Sequence, residues 1–221
     1  MHRFVKLSFG LFLLCLNVFA DDAPAAVKID TGDTSWVLIS TALVFLMTPG
    51  LAFFYGGMVR SKNVVSTVFQ NLAGVGVIGV LWLICGYSLA FSGNNAGLIG
   101  NLNFAFFNGV GQTANADYAA TIPHIAFAMY QCMFAVITPV LMTGAFAERI
   151  KFSSWIAIMA IWSLAVYSPV AHWVWGVGGW IRDMGCLDFA GGMVVHVTAG
   201  FSALVAASML GQRTEKNHAS R

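Results

Sequence analysis

Five apolar stretches, each long enough to cross a bilayer, leave this chain few ways to fold. They run over about residues 36–58, 64–91, 122–147, 155–176 and 188–210. A helix rises 1.5 Å per residue, so about 20 apolar residues cover the ~30 Å hydrocarbon core. Strands of a membrane barrel need only about 10 residues, and alternate in polarity, so these runs are helical. Composition agrees: 58% of residues are hydrophobic and 9% charged, where soluble domains carry about 25% charged residues. The expected fold class is therefore an all-α integral membrane protein with five transmembrane helices.

The charges lie between the runs, and their placement predicts an orientation. Arg60 and Lys62 follow the first run, Arg149 and Lys151 the third, and Arg213, Lys216 and Arg221 the fifth; the opposite side carries only Lys28 and Arg182. Basic loops mark the cytoplasmic face, which places the amino end outside and the carboxyl end in the cytoplasm of a multi-pass plasma (inner) membrane protein. Residues 1–20 read as a signal peptide: Arg3 and Lys6 form a basic end, Leu7 to Phe19 an apolar core, and Val18-Phe19-Ala20 a small-residue cleavage site. Residues 21–35 then form a periplasmic segment, 36–211 the membrane domain and 212–221 a cytoplasmic tail. The connections 92–121, rich in Gly and Asn, and 177–187, with Arg182 beside Asp183, read as turns serving connection only. Cys15, Cys85, Cys132 and Cys186 form no CxxC pair and no metal-ligand spacing, and no disulfide framework is expected. Pro49, Pro139 and Pro169 interrupt three of the runs and are expected to kink them.

His196 is the one ionisable group in the middle of the last run. At membrane depth such a group is costly and faces a pathway or a partner rather than lipid. Gly192 and Gly200 stand four residues to either side, so a helix would place all three on one stripe without bulk above or below the imidazole. That stripe suits either a helix-packing seam or a lined path. Trp175 ends the fourth run, where a tryptophan serves as an interfacial anchor or offers a face to a cation. Tyr130 and Phe134, four apart, form an aromatic face beside Gln131, which reads equally as packed core. Asp188, opening the fifth run, fits an N-cap, with a contribution to local cation affinity as the other reading. The chain has no HExxH, GxSxG or phosphate loop, and its carboxylates are too scattered for paired acid–base work. It is not expected to be an enzyme or to carry a cofactor or metal, and no basic, aromatic-interleaved patch points to nucleic acid.

The motifs TPGLAFFYGGMVRSKNV, GYSLAF, TGAFAERIKF, AHWVWG and DFAGGMVVHVTAG, in this order, resemble the ammonium transporter family of the bacterial type, from about Thr41 to Gln212. The resemblance implies half of an eleven-helix inverted-repeat fold, with ammonium or ammonia as the permeant. It implies that Trp175 recruits the ammonium ion by cation–π contact, that Phe134 gates the path below it, and that Gln131 lies close to the pore. It also implies that Asp188 supports the recruitment site, and that His196 is the first of two facing histidines in an apolar pore. A homotrimer in the lipid bilayer and a PII signalling partner follow for the full-length protein. Two departures accompany the resemblance: one extra residue between Trp175 and Asp188, and an end after the fifth run. The second histidine, the second gate aromatic and the serine of the recruitment site therefore have no counterpart here. The expectation is a truncated transporter whose isolated chain does not conduct ammonium selectively, because its basic loops would insert every copy the same way round. The alternative is a non-transporting ammonium sensor or an inactive remnant.

Overall fold

The computed structural model describes residues 28–213, so the signal-peptide reading and most of the cytoplasmic tail lie outside the described residues. Its element order is α1 (Thr31–Gly56), α2 (Ser61–Phe91), β1 (Ala114–Asn115), β2 (Ala119–Pro123), α3 (His124–Val140), α4 (Thr143–Phe146), α5 (residues 152–175), α6 (Trp180–Asp183) and α7 (Gly192–Leu210). Among the described residues, five helical segments are long and apolar enough to cross a membrane: α1, α2, α3 with α4, α5 with α6, and α7. The chain is a multi-pass membrane protein.

Local chemistry explains where the helices start and stop. Asp30 accepts the amide of Asp33 at 2.8 Å and so caps α1, which begins at Thr31, five residues before the expected position. Pro123 closes β2 and lacks an amide hydrogen, so α3 opens at His124 rather than at residue 122. The third run is not one helix either. Pro139 removes a backbone donor near its end; α3 stops at Val140, and a turn separates it from α4. Pro49, by contrast, lies within an uninterrupted α1. Pro169 lies two residues after a π turn, Ser163–Tyr167, and a second π turn, Trp82–Gly86, interrupts α2. The two wide turns face each other, with the Trp82 and Tyr167 rings 6.2 Å apart and both buried.

Helix α3 is the centre of the bundle. Ala128, Ala135, Val136, Ile137 and Val140 are buried, and the core gathers Ile78, Trp82, Tyr87 and Phe91 of α2 and Met159, Tyr167 and Ala171 of α5 around it. Gly74 lets α2 come close: a Cβ there would meet Val140 Cγ2 at 3.2 Å and Met159 Sδ at 3.4 Å. In lipid, with no hydrophobic drive between helices, such close approach supplies van der Waals contact. Helix α1 packs on α2 and α3 and leaves Trp36, Leu43, Phe53 and Phe54 exposed.

The two ends of the bundle differ. At one, Glu148 takes a left-handed φ of +62°. Its carboxylate accepts the amide and Nε of Arg60 at 3.0 and 3.1 Å and Nδ2 of Asn63 at 2.7 Å, with Arg213 Nη1 at 3.8 Å. Arg149 Nη1 donates to Gly211 O at 2.9 Å. The connections after α1, α4 and α7 are thus fastened together at one basic end. Burial by itself would raise the Glu148 pKa; the hydrogen bonds from Asn63 and Arg60, with the Arg60 charge, outweigh it and hold the group at about 2. The opposite, loop-rich end carries residues 92–123 and 176–191, and the start of α1 joins it through Asp30 N to Thr121 O at 2.8 Å. There β1 and β2 pair antiparallel as a two-stranded ribbon, an addition to the expected all-helical picture.

Candidate functional site

At the loop-rich end, Trp175 closes α5 and its ring faces Phe134 of α3, with centroids 6.1 Å apart at 70°. Tyr130, one turn before Phe134, meets that ring edge-on at 5.1 Å. The helical spacing of four therefore yields one aromatic wall, which Trp175 extends from a neighbouring helix. The indole of Trp175 is oriented by a hydrogen bond: its Nε1 donates to the carbonyl of Asp188 at 2.8 Å.

Asp188 caps α7 as the sequence suggested, but from four residues ahead of the helix rather than from its opening position. The helix begins at Gly192, and the Asp188 carboxylate reaches forward to it. Oδ1 accepts the Gly192 amide at 2.6 Å, and Oδ2 accepts Met193 and Val194 at 2.9 and 3.0 Å. Three of the four amides a helix leaves unsatisfied are thus met by one side chain, whose charge also suits the helix's positive end. The shift in position is made by Gly191, which takes a left-handed φ of +75°; a Cβ there would lie 2.7 Å from Val195 Cγ2 and 3.6 Å from Trp175 Cη2. The helix then opens in a π turn, Gly192–Val197.

That π turn carries His196. Its Nδ1 lies 3.1 Å from Gly191 O, which also accepts the amides of Val195 and His196 at 2.9 and 3.0 Å. A carbonyl only accepts, so Nδ1 carries the hydrogen and a neutral ring keeps its lone pair on Nε2. Gly192, His196 and Gly200 are all exposed.

Two hollows meet at Phe134. A recess of about 450 Å³ at the loop-rich end is lined by Tyr130, Gln131, Phe134, Trp175 and Asp188. An apolar cavity of about 400 Å³ on the other side of Phe134 is lined by Met47, Leu51, Phe54, Ile137, Val195 and His196. Phe134 is common to both. The Gln131 Oε1 is enclosed and has no hydrogen-bond partner. No group of three metal-ligating side chains occurs among the described residues.

The recess also contains residues that the sequence reading left in plain connections. Tyr118 and Asp117, from the ribbon, and Arg182 and Cys186, from the stretch between α5 and α7, line it. Arg182 Nη1 donates to Trp175 O at 2.7 Å and its guanidinium lies 5.6 Å from the Tyr118 ring centre; Tyr118 Oη accepts the Val177 amide at 2.8 Å. The available signal was Arg182 itself, a charge set between Trp175 and Asp188 in a short apolar connection.

The profile of the Ammonium Transporter Family matches residues 35–221. An ammonium transporter of Bacillus subtilis is 49% identical over 184 residues, which cover 83% of this chain and 45% of that protein. The crystal structure of Candida albicans Mep2 superposes with a TM-score of 0.77 at 35% identity, covering 90% of this chain and 43% of that one. A structure described as a sensor Amt protein superposes with a TM-score of 0.73 at 30% identity, over 81% of this chain and 44% of that one. The chain spans about half the length of the curated relatives it matches.

Proposed function

Because this chain belongs to the ammonium transporter family, we propose that it forms one wall of a path that carries ammonium nitrogen across a membrane. The observation that carries the reading is Phe134, standing between an aromatic recess and an apolar, histidine-lined cavity. The recess lies outside the cell. There the face of Trp175, with Tyr130 and Phe134 beside it, attracts a bare ammonium ion, as a tryptophan face does best among aromatic side chains. Asp188 positions this site rather than touching the ion, since both its carboxylate oxygens are taken by α7 amides.

Beyond Phe134 the lining is apolar, where a charged ion is costly and neutral ammonia is not. The ion therefore gives up its proton before the ammonia advances. His196 is suited to accept that proton on Nε2, whose lone pair is free while Nδ1 is tied to Gly191 O, and it gives the proton up again toward the inner side so that the ring is neutral for the next ion. Gln131 lies at the recess as a polar neighbour. Residues 28–35 and the loop-rich end face the periplasm and the basic end faces the cytoplasm, and the full-length protein assembles as a homotrimer of the plasma membrane with a PII signalling partner.

A second reading is ammonium sensing without flux, favoured by the likeness to the sensor Amt structure. Uptake of radiolabelled methylammonium by cells expressing the intact gene product separates the two. Saturable uptake is expected, and Trp175→Leu should weaken its apparent affinity by up to about thirtyfold, the equivalent of a 0.5–2 kcal/mol cation–π contact. Binding without uptake would favour the sensor, and an unchanged affinity at normal membrane abundance would leave Trp175 as an interfacial anchor.

A further inference from the structure

Arg182 has no role in the path just described, yet it stands in the recess where that path begins. It is half-buried in α6 and lines the recess with Asp117, Tyr118, Trp175 and Asp188. Its guanidinium lies over the Tyr118 ring at 5.6 Å and donates to Trp175 O at 2.7 Å. The ion pairs among the described residues, Arg60–Glu148 and Arg213–Glu148, do not include it. A cation-recruiting recess with a permanent positive charge in its wall calls for a reason, since guanidinium does not deprotonate in a protein.

We propose that Arg182 sets the charge selectivity of the recess, admitting singly charged ammonium-type cations and disfavouring multiply charged ones; this rests on the reading of the recess as the recruitment site. An aromatic wall attracts a cation electrostatically, and no less when its charge is higher, so Trp175, Tyr130 and Phe134 do not by themselves turn a dication away. The recess carboxylates, Asp117 and Asp188, favour the more highly charged cation. Arg182 opposes them, and its repulsion acts twice on a dication and once on ammonium. Its seat on Tyr118 has a further effect: that aromatic face is already occupied by a cation. The hydrogen bond to Trp175 O holds the charge beside the recruiting ring, so the discrimination falls where the ion first binds.

The test compares two competitors of nearly equal size, ethylammonium and ethylenediammonium, at a pH low enough to keep both amines of the latter charged. Each is used to inhibit methylammonium uptake by the intact gene product, and the ratio of the two inhibition constants is read. That ratio does not depend on how much protein reaches the membrane, and a general loss of packing does not sort cations by charge. Arg182→Gln should shift it about tenfold toward the dication, by removing one like-charge repulsion at short range, whereas Arg182→Lys should hold it near the wild-type value. An unchanged ratio in the Gln variant, or an equal shift in the Lys variant, overturns the proposal. If the Gln variant does not reach the membrane, Arg182→Met, which keeps the apolar stem and removes the charge, decides: it should move the ratio toward the dication as Arg182→Gln would, and no movement overturns the proposal. Absence of saturable methylammonium uptake and binding in the wild type would instead sink the recruitment reading itself.

Discussion

Glu148 shows how much a single side chain does at the basic end. It sits in a left-handed backbone conformation and still receives hydrogen bonds from Arg60, in the turn after α1, and from Asn63, in the first turn of α2. Its pKa, held at about 2 against an ordinary 4.5, means that folding favours the ionised form. The sign follows from linkage: a depressed carboxylate pKa contributes stability above the unfolded value, and that contribution is lost as pH falls toward the folded value. Thermal unfolding in detergent should therefore show a wild-type advantage over Glu148→Gln that is full near neutrality and shrinks between pH about 4.5 and about 2. A difference that stays constant across that window would mean the carboxylate charge is not what fastens the three connections. Gln131 is the contrasting case, an enclosed acceptor without a protein partner. Burying such an acceptor is costly when no donor meets it.

Among the elements, α7 depends most on what precedes it. Its first turn is π rather than α, its amides are capped by a residue four positions upstream, and the link between cap and helix is a glycine with positive φ. Asp188→Ala would leave three amides without an acceptor and should cost about 1–2 kcal/mol or more, with Asp188→Asn milder because one acceptor oxygen remains. Gly191→Ala forces a Cβ into a left-handed conformation and against Val195, at an expected cost of about 1–3 kcal/mol. Both changes should lower the thermal midpoint. They should also shift tryptophan emission, because Trp175 is hydrogen-bonded to Asp188 and lies beside Gly191. An unaltered midpoint for Asp188→Ala would show that the α7 amides find other acceptors.

At the scale of the whole molecule, the basic residues gather at one end and the ribbon and long connections at the other. The charge asymmetry predicts that the basic end faces the cytoplasm. Cysteines introduced singly for Lys62, at the basic end, and Leu98, exposed at the loop-rich end, provide the check in a background lacking the native cysteines. An impermeant maleimide applied to intact cells should label the Leu98→Cys variant and reach the Lys62→Cys variant only after permeabilisation. The reverse pattern would invert the topology and place the aromatic recess on the inner side.

Much of this arrangement was legible in the residues alone. The five crossings follow from the length of the apolar runs, and the chemical difference between the ends follows from where Lys and Arg fall, because a bilayer imposes both demands segment by segment. Tyr130 with Phe134 could be paired by helical spacing, since both lie within one helix, whereas the stripe of His196 with Gly192 and Gly200 assumed an α-helix where α7 opens in a π turn. The family could be named from ordered motifs. Other features needed the tertiary structure. That Phe134 separates two hollows depends on how α3 is rotated against α1, α5 and α7, which close contacts such as Gly74 against Val140 and Met159 help to set. That α7 starts at Gly192 depends on a carboxylate reaching across a left-handed turn. That Arg182 and Tyr118 belong to the recess depends on two connections, about sixty residues apart in sequence, meeting over Trp175. Periodicity reports which face of a helix is apolar; which side chains converge on one point is settled only when helices and loops pack together.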